Sequence, residues 1–149
     1  MTTNFEELLG QQVESVEPPR LFPIGSYDAV LGRYETGNSS NKGTPYVRFP
    51  VKLVGPKEDV DQDEFEAAGG MEKLMNRSPL RHDFYLTPDA QFMLRQFLEN
   101  TLQMDCHNRT FDSLLPETDG MSLIATIKHE AGQNEGQMFM RIAGTAAAE

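Results

Sequence analysis

Residues 45–54 read PYVRFPVKLV, and the apolar side chains Val47, Phe49, Val51 and Leu53 alternate with Tyr46, Arg48, Pro50 and Lys52. A period of two belongs to a strand and not to a helix. A strand that alternates in this way buries one face and leaves the other wet, which is the habit of antiparallel sheets. The chain is therefore expected to be built on an antiparallel sheet, with Phe49 in its core. Pro50 adds a constraint. It has no N–H to give to a ladder, so this strand should lie at an edge or a bulge at that point.

The flanking sequence supplies further elements. Residues 25–36 have strand composition, and Gly32 in their middle marks a bend after which the inward face switches. Tyr27, Ala29 and Leu31 face inward before the bend. GNSSNKGT reads as a flexible loop. Residues 57–78 interrupt the strand series as an acidic, partly helical insertion broken at Gly69–Gly70. LRHDFYL, at 80–86, is a third strand. TPDAQFMLRQFLENTLQMD is the clearest helix, with Thr87 as N-cap, Pro88 at the first helical position and Asp89 at the positive end of the dipole. Its apolar face carries Ala90, Met93, Leu94, Phe97, Leu98 and Thr101. MSLIATIKHE and QMFMRIAG form a closing hairpin about the turn AGQNEG. The order is strand, strand, insertion, strand, helix, strand, strand. That order predicts a mainly β fold, a five-stranded OB-fold-like Greek-key barrel with a helix between strands 3 and 4. An open mixed sheet with one helix satisfies the same order. The expected organisation is an N-terminal arm at 1–20, with Phe5, Leu8 and Leu9 buried by a short helix, an OB-fold-like domain at 21–145, and a frayed tail at 146–149.

The formal net charge of −10 is unevenly spread. Residues 1–19 hold Glu6, Glu7, Glu14 and Glu17 and no base, and residues 57–66 hold six acids against Lys57. The remaining chain, with 12 bases and 13 acids, is near neutral. A polyanion partner is thus compatible with the negative total, whereas a broad basic surface is not. No apolar run approaches the length of a membrane span. The N-terminus lacks a signal-peptide pattern, and Cys106 is the only cysteine, so a soluble, cytoplasmic protein is expected. Nothing points to catalysis or to a cofactor. His82, His107 and His129 are far apart, Cys106 and His107 are adjacent and cannot face each other, and no nucleotide-binding or nucleophile motif occurs. Asp59, Asp61 and Asp63 begin like a calcium loop, but Glu64 stands where the turn needs glycine and Gly70 where a bidentate glutamate belongs.

Single-stranded nucleic acid is held by aromatic faces that stack on bases and by cations that follow the phosphates. Tyr46, Arg48 and Lys52 offer both on the outward face of the second strand, with Lys42 in the loop before it. Arg81 and Tyr85 share a face of the third strand. Arg33 and Tyr34 on the first strand, and Lys128 and Arg141 on the last hairpin, extend the set. These positions fall where an OB-fold receives an oligonucleotide, across strands 2 and 3 between two loops. The competing reading is a wet sheet face on which Arg48 and Lys52 pair with acids across the strands.

Residues 22–56, FPIGSYDAVLGRYETGNSSNKGTPYVRFPVKLVGP, resemble the first hairpin of small bacteriophage-encoded OB-fold proteins that bind single-stranded DNA. The resemblance rests on Gly25, Tyr27 and Ala29, then Ser40, Lys42, Gly43, Thr44 and Tyr46, then Gly55 and Pro56. The later helix and hairpin agree in order only. The resemblance implies a non-enzymatic single-stranded DNA-binding protein serving phage DNA replication or recombination in the host-cell cytoplasm. Two departures stand out. The 57–78 insertion replaces a short turn, and the chain ends in TAAAE where many such proteins carry an acidic tail that recruits replication partners. Recruitment of replication or recombination proteins then falls to the acidic arm or insertion. The alternatives are an OB-like protein-interaction module or an acidic DNA mimic, separable by whether acids line the groove between strands 2 and 3, and a phage structural or assembly protein.

Overall fold

The alternation at 45–54 forms the spine of the molecule, strand β3 (Pro45–Pro56), with Val47, Phe49, Val51 and Leu53 all buried. The computed structural model describes residues 9–10, 21–132 and 138–148. Most of the expected arm and the turn at 133–137 lie outside the described residues. Leu9, expected to be buried, is 83% exposed.

The expected first strand is two strands. β1 (Gly25–Leu31) pairs with the second half of β3, and β2 (Glu35–Asn38) pairs with its first half, both antiparallel and along the same edge. The break falls at Gly32, and it accounts for Pro50. Gly32 N–H donates to the Pro50 carbonyl at 2.9 Å, so that edge of Pro50 faces the gap between β1 and β2. A residue's N–H and C=O point to the same side of a strand, so the donor that proline lacks would have pointed into this gap and no ladder bond to the other neighbour is forfeited. A Cβ on Gly32 would lie 3.4 Å from Pro50 Cβ, so the kink is also tightly packed.

β4 (Leu80–Tyr85) lies along the opposite edge of β3, in a register that sets Tyr46 against Tyr85, Arg48 against Asp83 and Pro50 against Arg81. β1 also pairs with β5 (Ser122–Ala131), and β5 with β6 (Met138–Ala147). The result is a mainly β, antiparallel sheet of six strands in which β4 and β6 approach each other without pairing. It is an open sheet, where a closed barrel of five strands was expected. The tail at 146–149, expected to fray, stays in β6 through Ala147, opposite Leu123.

The insertion is helical as expected. Helices α1 (Gln62–Ala67) and α2 (Gly70–Met75) meet at Gly69–Gly70, both at positive φ. Asp61 caps α1 by accepting from Glu64 N–H at 3.0 Å. Val60, Phe65, Ala68 and Leu74 are buried, with the Phe65 ring 5.4 Å from Phe22, so the insertion seals one end of the core. Helix α3 (Pro88–Gln96) is shorter than expected and runs into a π-helical turn, Phe97–Thr101. The wider turn re-aims the side chains. Leu94, Phe97, Leu98 and Thr101 are buried, while Met93 is 61% exposed. Thr87 makes no side-chain cap bond. A short helix, α4 (Phe111–Leu114), and a 3-10 turn (Leu115–Thr118) lead to β5. No described helix is long and apolar enough to cross a membrane.

His82 points inward from β4, between Phe84 and Phe97, with ring centroids 4.7 and 5.4 Å away. Burial lowers its pKa below the ordinary 6.5, against a smaller opposing effect of Asp83. The unfolded chain therefore binds this proton more readily than the folded one. Stability from this site is complete above the ordinary value and declines as pH falls through it toward the folded pKa. Urea midpoints measured from about pH 7.5 to about pH 5 should fall for the wild type and fall less for His82→Leu. Equal slopes would remove His82 as the cause.

Candidate nucleic-acid interface

The outward face of β3 and β4 carries Tyr46, Arg48, Pro50 and Lys52 on one strand and Arg81, Asp83 and Tyr85 on the other. Tyr46 and Tyr85 meet edge to face, with centroids 6.3 Å apart and planes at 76°. Tyr85 is 47% exposed. Tyr46 leans across β2, where Gly37 makes room for it. A Cβ on Gly37 would come within 2.6 Å of the Tyr46 hydroxyl oxygen. Gly37 is thus a positioning residue that the sequence signals only as one more loop glycine.

The loop expected to be flexible is a closed hairpin turn. Ser39 N–H donates to Thr44 O at 2.8 Å, Gly43 N–H to Ser39 O at 2.9 Å, and Thr44 N–H to Ser39 Oγ at 3.0 Å. Gly43 sits at φ 66, a left-handed conformation that suits glycine. Lys42 is exposed at the tip, and it shares with Tyr85, Thr87 and Ala90 a cleft of about 410 Å³.

Two of the expected phosphate contacts have other work. The Arg48 guanidinium donates to both Asp83 carboxylate oxygens, at 2.9 and 3.1 Å, and lies over the Tyr46 ring, 4.8 Å from its centroid. Glu35 sits opposite Arg48 on β2, so acids flank it on both sides. Lys52 Nζ donates to the Leu74 carbonyl at 3.1 Å and to the Arg77 carbonyl. These carbonyls lie at and just beyond the C-terminal end of α2, where a cation also suits the helix dipole, and that of Leu74 also accepts from Arg77 N–H at 3.2 Å. Lys52 therefore ties the insertion to the sheet, a correction to its expected place in a phosphate track.

The other expected residues divide. Arg81 on β4 and Arg141 on β6 line one cleft at the edge of the face. Lys128 is exposed and stands opposite Arg141. Arg33 is exposed in the β1–β2 link, while Tyr34 is partly buried and packs against the core. Arg77, which the sequence reading passed over, lines the same cleft as Arg81. It sits in a short non-periodic segment, and its only signal is a second arginine four residues before Arg81.

The insertion's acids lie elsewhere. Asp59 accepts from Ser26 N–H and Oγ at 3.0 Å, and with Asp28 and Glu58 it lines a cleft beside β1 and β5. Tyr46 begins β3 and the insertion follows its end, ten residues or about 33 Å of extended strand away. A concavity of about 800 Å³ lies between α3 and the loop after it and contains Cys106 and His107. Burial and the nearby Glu99 raise the Cys106 pKa, which keeps the thiol protonated and unsuited to nucleophilic attack. Among the described residues, no group of three or more His, Cys, Asp or Glu is placed to hold a metal ion. A scan of protein-family models gives no match to this chain, and a search of curated proteins gives no significant match.

Lys52→Met should destabilise the fold by about 1–3 kcal/mol, because two carbonyls lose a charged donor. Chemical denaturation reads this directly. A variant as stable as the wild type would show that the tether contributes nothing.

Proposed function

We propose that this protein is a non-enzymatic binder of single-stranded DNA that supports phage DNA replication or recombination, its sheet an OB-fold-like barrel left open between β4 and β6. The observation that carries this reading is the Tyr46–Tyr85 pair at the Lys42-turn end of the outward β3–β4 face, with Tyr85 half-exposed and Tyr46 partly buried. Two adjacent aromatic rings give stacking area without base-specific readout, at about 1–3 kcal/mol per base. The resemblance of residues 22–56 to phage single-strand binders, and the curled course of the sheet, agree with it.

The location of the acids favours DNA binding over DNA mimicry. A mimic would display carboxylates along the groove, but the acidic insertion projects from the opposite end of β3. There it is accessible to a replication or recombination protein. Asp83 and Glu35, which flank Arg48 from β4 and β2, are the exceptions within the face. Asp83 occupies Arg48, and both repel phosphate, so the basal affinity is modest and micromolar.

Binding of a fluorescent oligo-dT of about 16 nucleotides, near the upper end of an OB-fold footprint, should be measurable at about 50 mM salt and weaken as salt rises. Tyr46→Ala with Tyr85→Ala should weaken it by about tenfold or more. Asp83→Asn should tighten it severalfold, by releasing Arg48 and removing a carboxylate. Absent binding, or binding unchanged in the double tyrosine variant, contradicts the proposal.

A further inference from the structure

β4 and β6 run close together with no ladder between them, and the seam is a cleft of about 380 Å³. Arg77 enters it from the segment before β4, Arg81 from β4, and Arg141 and Phe139 from β6. Among the described residues, no aspartate or glutamate lines it. On a chain of net charge −10, three of the eight arginines converge here. Among the described residues, their usual neutralising partners are weak or missing. Arg81 has no ion pair there. Arg141 has only Glu130 there, at 3.9 Å, beyond hydrogen-bond distance. Arg77 Nε is buried and has no hydrogen-bond partner among the described residues, although Lys52 holds its backbone carbonyl. Buried donors are normally paired, and an unpaired one calls for an explanation. Three planar guanidinium forks around one cleft suit a tetrahedral oxyanion, which accepts two hydrogen bonds from each fork.

The neighbours of the cleft indicate which oxyanion. Phe139 is 49% exposed on the outward face of β6, beside Arg141. Tyr85 lies on the same face of β4 as Arg81, four residues or about 13 Å along the strand. An aromatic side chain therefore stands on each of the two strands that carry Arg81 and Arg141, which suits a backbone with alternating phosphates and bases. We propose that the seam between β4 and β6 is a second anchor for the strand bound at the tyrosine pair: Arg77, Arg81 and Arg141 grip a phosphodiester, and Phe139 stacks on the adjoining base. This rests on the single-stranded DNA reading. It also gives Lys52 a positioning role, because its bond to the Arg77 carbonyl fixes where that guanidinium starts.

The test compares the full chain with an Arg77→Gln, Arg141→Gln double variant, in titrations with oligo-dT of about 12 nucleotides, inorganic phosphate and poly-glutamate. The expected result is weaker oligo-dT binding and a salt slope that falls by up to about 0.7, since the three arginines share one phosphate and each lost phosphate contact on single-stranded DNA is worth about 0.7. Phe139→Ala should weaken binding without altering that slope. If the double variant does not fold, Arg81→Gln, at an exposed position, should weaken binding and lower the slope by part of that about 0.7. Wild-type binding with slopes unchanged in the arginine variants overturns the seam anchor and leaves the tyrosine-face reading intact. Absence of oligo-dT binding by the wild type overturns both. Inorganic phosphate that saturates the cleft while oligo-dT ignores the arginine variants identifies a free-anion site and overturns the anchor. Poly-glutamate bound as tightly as oligo-dT, with the same dependence on the arginines, identifies an acidic protein site and does likewise.

Discussion

The close approach of Gly32 to Pro50 sets the rest of the molecule. β3 pairs along one edge with β2 and β1 and along the other, over Tyr46–Val51, with β4, while one face stays buried. The chain ahead of β3 meets this by breaking at Gly32, so β1 lies between β3 and β5 while β2 pairs with the start of β3. Pro50 sits where a missing N–H costs no ladder bond and where its ring packs against a residue without a side chain. From that break follow the curl of the sheet, the near meeting of β4 and β6, and the exposure of the β3–β4 face. Phe49, fully buried beside Pro50 with Phe84 and Phe97 at 5.9 and 5.2 Å, anchors the inner side of the same point.

Much of this was legible in the sequence, because period-two alternation and Gly or Pro punctuation report local geometry. β3, the bend at Gly32, the split of the insertion at Gly69–Gly70, and the final hairpin all follow from such signals. The π-helical turn at Phe97–Thr101 was not legible, since it preserves a helical-looking apolar pattern, and neither was the exposure of Met93, in the regular helix before it. Partners that come from distant segments were not legible either. The alternation puts Arg48 and Lys52 on the outward face, but only the β3–β4 register supplies Asp83, and only the fold of the insertion supplies the carbonyls of Leu74 and Arg77. Arg77 was missed because a lone arginine in a non-periodic segment carries no pattern. Its meaning comes from the approach of β6, an element some sixty residues later in the chain.

The charge distribution gains a physical sense in three dimensions. Six acids follow β3 and cluster at one end of the sheet, while Tyr46 and Tyr85 lie at the other, and three arginines gather at the open seam. Separation of this kind lets an acidic protein hold a polyanion, because the repulsion between them is screened over a Debye length of about 8–10 Å. Asp83 stands against that trend. By engaging Arg48 it rigidifies the aromatic pair's neighbour and subtracts a cation from the face.

The most direct measurement is a map of backbone amide chemical shifts as the protein is titrated with a short oligo-dT. The account requires perturbations at Gly37, Tyr46, Arg81 and Tyr85, with Glu58, Asp59, Asp63 and Glu66 unmoved. Shifts concentrated in the acidic insertion, or none at the tyrosine pair, would contradict it.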